Sequence, residues 1–339
     1  MLVNIGREKM SSDSPVLEAR NLSKNFISGR GLFRRGKRIV RAVDDLDLLI
    51  NKKESFGLVG ESGCGKTTVA RLLMLLTEPT KGTIKFNNTD LLKLNPGELR
   101  RIRTQMQMIF QDPYSFLNPR KTIRQILRKP YKLHSDFSEH EIQEKIEALV
   151  EDVGLKPPDL FLNRYPHELS GGQRQRVGIA RAISLNPKFV IADEPVSALD
   201  VSVRAQILNL LIKLQSDHDL TYLFISHDLS VVRSLCDRVG VMYLGRLVEI
   251  GPNNEIFPNP LHPYTRALLG STPVPDPKVM SGREYIVLGG EVPNAISPPS
   301  GCYFHPRCPN RGIGCDSDQP KLQELRPNHF VACHYAEIS

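Results

Sequence analysis

At 339 residues the chain exceeds one ordinary small domain, and two domains are expected. Its 40% hydrophobic and 24% charged residues are those of a globular protein with a sizeable core, and no apolar run reaches the roughly eighteen residues that span a bilayer. The formal charge of +8 is modest but uneven, because "RGLFRRGKRIVR" (30 to 41) holds six basic residues and no acidic one. That stretch suits phosphates, nucleic acid or an anionic membrane surface, or is simply a solvated loop.

The start, "MLVNIGREKMSSDS", lacks the apolar segment of a secretory signal, so a cytoplasmic chain with unpaired cysteines is expected. Strands are predicted over "VLEARNLSKNF", "AVDDLDLLI" and "SFGLVG", with the basic loop between the first two. An apolar helix over Val69 to Leu76 follows a glycine-rich turn, and "GTIKFNN" reads as a strand. Residues 98 to 108 and much of 120 to 155 carry helical patterning. "PKFVIADEP" and "LTYLFISHD" are short apolar runs of the kind buried on both faces of a parallel sheet, and "VSVRAQILNLLIKLQSDH" supplies an amphipathic crossover helix between them. The class is therefore α/β. After about Gly251, Pro and Asn dominate, so 251 to 339 reads as a loop-rich module with too little apolar content to stand easily alone.

"GESGCGKTT" (60 to 68) has the Gly-x4-Gly-Lys-Thr pattern, with a strand before it and a helix after it. Gly60, Gly63 and Gly65 let the backbone turn tightly, so consecutive N–H groups face inward around an anion, Glu61, Ser62, Cys64 and Thr68 complete the ATP-binding stretch, and the helix N-terminus adds positive potential. Lys66 supplies a full charge to the β- and γ-phosphates, and the Thr67 hydroxyl suits Mg²⁺. The chemistry of Cys64 is not required by the pattern. "FVIADE" (189 to 194) provides the complementary strand end: Asp193 would hold Mg²⁺ and Glu194 would polarise the attacking water. Acidic residues there would otherwise merely cap the next helix.

"ELSGGQRQRVGIARA" (168 to 182) is where the chain resembles the ATP-binding cassette (ABC) ATPases, whose signature is Leu-Ser-Gly-Gly-Gln. Ser170, Gly171, Gly172 and Gln173 begin a helix and so make a second anion-binding N-terminus. The resemblance implies a head-to-tail dimer, with each nucleotide between the phosphate loop of one subunit and the signature of the other. It also implies roles for Gln111 (magnesium sensing and contact with the membrane partner), Asp200 in "SALD" (dimer crossing) and His227 (γ-phosphate). Phe26 would stack on adenine, or would be an ordinary core residue. Lys53 stands where the family usually has glycine, so a slightly altered turn is expected. The implied fold is a P-loop NTPase cassette of parallel-sheet core, antiparallel β subdomain and helical subdomain (about 112 to 185). The cassette would occupy 1 to 250 and the small cysteine-containing module 251 to 339.

"MIFQDPYSFLNPR", "DEPVSALDVSVRAQILNLL", "VMYLGRLVEIGP" and "HPYTRALL" resemble the ATPase subunits of bacterial dipeptide/oligopeptide importers, and Tyr114 and Arg120 lean toward the F-type subunit. The expected partners are a D-type companion cassette, two transmembrane permease subunits and, indirectly, an extracytoplasmic substrate-binding protein, at the cytoplasmic face of the membrane. No nucleic acid is expected among them. Nickel complexes or oligosaccharides are alternative cargoes, and a soluble ABC ATPase acting on nucleic acid is the alternative from another class. Cys302, Cys308, Cys315 and Cys333, separated by five, six and seventeen residues, form no Cys-x-x-Cys pair. The resemblance implies a [4Fe–4S] cluster on them; Zn²⁺ and reduced thiols packing as small hydrophobes remain alternatives. His305, His329 and His334 would replace a ligand or be surface histidines. Cys236 reads as a buried apolar residue.

Overall fold

The computed structural model describes residues 15–28, 38–112, 116–271 and 289–336. Most of the basic segment (29–37) and Tyr114 lie outside them. β1 (Leu17–Ser28) and β2 (Arg38–Ile50) pair antiparallel from Leu17–Ile50 to Ser28–Arg38, so residues 38 to 41 of the basic stretch are strand rather than loop. β3 (Ser55–Val59) leaves this layer and runs into α1 (Lys66–Leu73). That helix starts at the lysine itself, three residues before its apolar run, because Gly65 turns the chain at its N-cap. β4 (Lys81–Phe86) and β5 (Thr89–Asp90) return to complete a four-stranded sheet in the order β2-β1-β4-β5.

α2 (Pro96–Ile102) is opened by an Asn95/Glu98 capping box and stops where helix was predicted to continue. Met106–Ile109 is instead a strand, β6, parallel to a later strand at the sheet edge. Its few apolar residues have no strong strand pattern of their own, and pairing with a distant segment decides the outcome.

The helical region follows: α3 (Ile123–His134), α4 (Glu139–Asp152), α5 (Asp159–Leu162) and α6 (Gly171–Ile183). Three of these helices open on reciprocal caps: Thr122 with Gln125, Ser138 with Glu141, and Ser170 with Gln173. Ile123, Ile126 and Leu127 pack with Ile142, Ile146 and Val150, all buried. The chain then alternates β7 (Phe189–Asp193), α7 (Val201–His218), β8 (Thr221–Ser226), α8 (Leu229–Leu235) and β9 (Arg238–Tyr243). Every residue of β3, β7 and β8 is buried, as both-face burial in a parallel sheet demands.

β10 (Arg246–Pro252) turns back antiparallel to β9 and is followed by α9 (Asn253–Ile256) and α10 (Pro263–Gly270). Loops were expected beyond residue 251. Yet β11 (Gln323–Arg326) and β12 (His329–Val331) extend the main sheet, giving β11-β12-β10-β9-β3-β8-β7-β6. Aromatic packing adds to this anchorage: Tyr243 of β9 lies 4.8 Å from the Tyr264 ring and 5.3 Å from the Phe304 ring, all three fully buried. The C-terminal segment thus borrows the core of the sheet instead of building one.

Candidate functional site

The phosphate loop joins β3 to α1, and its glycines are required sterically. Gly60 has φ +151° and Gly65 φ +112°. A Cβ at Gly60 would lie 2.2 Å from the Met242 carbonyl oxygen, and one at Gly65 would lie 2.2 Å from that of Ala42. Gly63 also has positive φ, but open space surrounds it. The loop is braced by the β9–β10 turn, where the Gly245 N–H donates to the Cys64 carbonyl at 2.8 Å. Ser62 and Gly63 are exposed at the rim, Thr68 is half-buried in the first helical turn, and Cys64 faces inward. Burial pushes the Cys64 thiol pKa up, against the nearby Lys66 charge. The Lys66 ammonium, 6% exposed, donates to the carbonyls of Gly60 at 2.7 Å and Glu61 at 3.0 Å, which aims its charge into the loop's concavity.

Asp193, at the C-terminal end of β7, is buried and accepts from the Thr67 hydroxyl at 3.3 Å. Burial raises its pKa, and the neighbouring Glu194 charge pushes the same way. Glu194 itself turns out of the strand at φ +48°, which swings its carboxylate away from Asp193's partner and toward two other loops. The Gln111 side-chain amide donates to one Glu194 oxygen at 2.9 Å, and His227 Nδ1 meets the other at 3.0 Å. Gln111, Thr67, Asp193, Glu194 and His227 therefore converge from the ends of three parallel strands, β6, β7 and β8, and from α1. That is the carboxyl edge of the sheet, where open α/β sheets bind ligands.

The donor set fits Mg²⁺: a threonine hydroxyl, one buried carboxylate and an adjacent amide are hard oxygen donors. This ion commonly takes one or two protein carboxylates together with substrate phosphates.

Ser170 and Gln173 do not join this constellation. The Gln173 N–H donates to Ser170 Oγ at 3.3 Å and the Ser170 N–H to Gln173 Oε1 at 3.0 Å, so the cap is closed on itself at an exposed helix start. Gly172 packs against α7, where a Cβ would meet Val203 Cγ1 at 2.5 Å. Asp200 is exposed at the N-cap of α7 without a side-chain cap bond, next to Val201, which is 80% exposed. Phe26 is on the surface of β1, not in the core: it is 41% exposed, with the Lys24 ammonium 5.2 Å above its ring. Lys53 takes φ +60°, in the left-handed region that glycine adopts most easily. Its N–H donates to Thr221 Oγ1 at 2.8 Å, which helps to hold it there.

The expectation of an iron–sulfur or zinc site on the cysteines is corrected. Among the described residues, no group of three or more His, Cys, Asp and Glu is arranged to hold a metal ion. All four thiols are free; Cys302 and Cys308 pack against the main hydrophobic core, and Cys315 is buried. Burial raises the pKa of Cys302 to about 11 and also raises Cys308 and Cys333, which favours neutral thiols over thiolate ligands. The expectation came from the resemblance and from a segment too poor in apolar residues to stand easily alone, and the aromatic and strand anchorage removes the second ground. Cys236 is buried, as expected. His329 is no surface histidine: it is fully buried, with Nε2 2.7 Å from Glu249 Oε1. His305 and His334 face backbone carbonyls, of Cys302 and Asp318 respectively.

Two contacts went unseen in the sequence, because 246 and 203 positions separate the partners. Arg307 donates through both arms to the Glu61 carboxylate, at 2.9 and 3.1 Å, and the Glu61 N–H donates to the Tyr264 hydroxyl at 2.9 Å. No local pattern signals either one.

The family described as "ABC transporter" matches residues 43–197, and that described as "Oligopeptide/dipeptide transporter, C-terminal region" matches 248–315. The oligopeptide transport ATP-binding protein AppF of Bacillus subtilis (strain 168) is 51% identical over 96% of this chain and 98% of its own length. The putative oligopeptide transport ATP-binding protein YkfD of the same organism is 51% identical over 94% of this chain and 95% of its own. Among solved structures, the ATP-binding cassette MJ0796, described as a dimer in a post-hydrolysis state bound to ADP and Pi, superposes with a TM-score of 0.62 at 28% identity. It covers 70% of this chain and 98% of that one. With a phosphate loop, a carboxylate-ended strand and a capped signature helix in these places, the chain belongs to the ABC transporter ATPases, in the branch that carries the oligopeptide/dipeptide transporter C-terminal region.

Proposed function

We propose that this ATPase energises the import of oligopeptides, working in a pair with a second, companion cassette beneath two transmembrane permease subunits at the cytoplasmic face of the membrane. The observation that carries the hydrolytic part is the Glu194 carboxylate held between Gln111 and His227, one residue from the Asp193–Thr67 pair. The cargo and the companion rest on the names of the relatives and the match of the C-terminal region.

In the proposed mechanism, Lys66 and the inward N–H groups of the loop take the β- and γ-phosphates. Thr67, Asp193 and Gln111 would hold Mg²⁺, which when bound neutralises charge developing on the transferred phosphoryl group. Glu194 accepts a proton from the attacking water, and its two neighbours, each holding one carboxylate oxygen, fix the orientation of the carboxylate. His227 orients toward the γ-phosphate from the end of β8. The exposed Ser170 start of α6 supplies a second anion-binding end, used by the nucleotide of the opposing cassette. ATP then favours the closed pair because it touches both cassettes only when they meet.

The permease contact is supported by a cleft of about 200 Å³ between β6 and α6, lined by Phe110, the residue before Gln111. Met74, Met106, Met108, Phe110 and Phe116 line it with Arg181 at one side, a flexible and mostly apolar set suited to receiving a short helical segment. Among the described residues no helix is long and apolar enough to cross a membrane. The test is uptake of labelled oligopeptides by cells lacking the chain and complemented with either the natural sequence or Glu194→Gln. Peptide uptake restored by the natural chain alone supports the reading, and unchanged uptake on deletion refutes the cargo.

A further inference from the structure

Lys66 and Glu61 carry opposite charges in one phosphate-binding loop. The Lys66 ammonium lies against the carbonyls of Gly60 and Glu61, and the Glu61 side chain, 26% exposed, puts a carboxylate on the same loop that takes the polyanion. An unpaired carboxylate on a phosphate-binding loop repels a bound triphosphate, the more so in a partly buried setting. Here it is paired. Arg307 reaches it from the C-terminal segment with a bidentate fork, the strongest common geometry for a guanidinium and a carboxylate.

The surroundings of Arg307 make this more than a surface ion pair. Its side chain is 7% exposed, its guanidinium lies 5.9 Å over the Tyr243 ring, and it donates at 3.4 Å to the Tyr243 hydroxyl. Among the described residues, Glu61 is the carboxylate that balances it. The Tyr264 hydroxyl, fixed by the Tyr243 and Phe304 rings, takes the N–H of the same glutamate, so side chain and backbone of Glu61 are both held from the C-terminal segment. That segment has independent anchors: β12 pairs with β10, and the Tyr303 hydroxyl donates to Asp44 at 2.6 Å. Arg307 is therefore not needed merely to keep the segment docked.

We propose that Arg307 is a positioning residue of the ATP site, which neutralises and orients Glu61 so that the phosphate loop accepts a triphosphate; the C-terminal segment thereby completes the nucleotide site of its own cassette. The proposal rests on the ATP-binding reading and extends it to a residue far outside the phosphate motif.

The experiment measures equilibrium binding of ATP and ADP to the full-length chain, as the natural sequence, Arg307→Ala, Glu61→Gln and the double variant. Charge balance demands opposite signs in the two single variants. Arg307→Ala leaves a bare carboxylate and should weaken ATP by about ten-fold, and ADP less, because ADP carries one charge fewer. Glu61→Gln leaves the cation and should bind ATP at least as tightly as the natural chain. The double variant should return to within about three-fold of it. A purely structural latch would weaken both single variants and would not be rescued. Natural affinity in a folded Arg307→Ala, or a double variant no tighter than that single one, overturns the proposal. Should Arg307→Ala not fold, weakened ATP binding by Glu61→Gln overturns it alone. Failure of the natural chain to bind ATP would instead sink the ATP-site reading itself.

Discussion

Gln111 and Glu194, 83 positions apart, are joined by a 2.9 Å hydrogen bond from amide to carboxylate, while His227 holds the second carboxylate oxygen at 3.0 Å. Glu194 is thus oriented without help from the phosphate loop. Glu194→Gln is nearly isosteric and keeps an acceptor, so nucleotide binding should survive. What is lost is the base, and a positioned carboxylate base contributes about 10²–10⁴-fold. Steady-state phosphate release should fall by that factor with ATP affinity unchanged. Turnover within a few-fold of the natural chain would remove Glu194 from the role.

The loop glycines make a second, sharper prediction. At Gly65 the backbone has φ +112° and an added methyl group would sit 2.2 Å from a backbone oxygen of β2, which cannot move like a side chain. Gly65→Ala should therefore distort the turn that starts α1 and abolish ATP binding. Gly63→Ala meets no neighbour and pays only the cost of its positive φ, about 1–2 kcal/mol. Comparing nucleotide affinities of the two variants separates crowding from backbone preference. Equal losses would mean that the loop tolerates neither for the same reason.

The parts of this site that sequence makes visible are the local ones. Gly60 to Thr68 is a short contiguous pattern whose glycines have a steric reason, and Asp193–Glu194 ends a run apolar enough to be a buried strand. Ser170 and Gln173 are three apart, the spacing of a capping box. What stayed hidden is what depends on distant partners. Met106–Ile109 becomes a strand only because β7 lies beside it, and Gln323–Arg326 with His329–Val331 become strands because β10 offers an open edge. The cysteines misled for a related reason. Counted within their own segment they imply a staple, but Tyr264 and Phe304 pack on Tyr243, a residue of the parallel sheet.

The signature helix start is exposed and capped by its own residues, so its contribution should be felt by a partner and not by its own nucleotide. Ser170→Arg should leave ATP binding to the isolated chain unchanged while abolishing ATP-dependent pairing and hydrolysis. Ser170→Ala loses the cap, at about 1 kcal/mol, without placing bulk in the interface, and should pair more weakly but still turn over. Sedimentation of the two variants with ATP in the Glu194→Gln background reads their pairing, and phosphate release by each with Glu194 intact reads their turnover. Full hydrolysis by Ser170→Arg would mean that each cassette works alone.

His262 sets a pH limit on the C-terminal segment. It is buried at the start of α10, where its Nδ1 accepts from the Tyr264 backbone N–H at 3.0 Å and its backbone N–H donates to the Glu249 carboxylate at 3.0 Å. Burial lowers its pKa from 6.5 to about 4, with the Glu249 charge pulling weakly the other way. The unfolded chain takes up a proton below pH 6.5 and the folded chain does not until about pH 4. The stability this group allows is therefore complete above pH 6.5 and lost progressively as pH falls toward 4. Between pH 7.5 and 5 the loss should be on the order of 2 kcal/mol. His262→Asn keeps a side-chain acceptor at the cap and has no proton to gain, so its unfolding midpoint should vary less over that range, though it starts lower for the volume removed. Thermal unfolding at pH 7.5 and 5 decides the matter: parallel declines in the two chains would assign the acid sensitivity to other groups, whereas a flatter profile in the variant assigns it to His262 and, through Tyr264, to the segment that holds Glu61 in the phosphate loop.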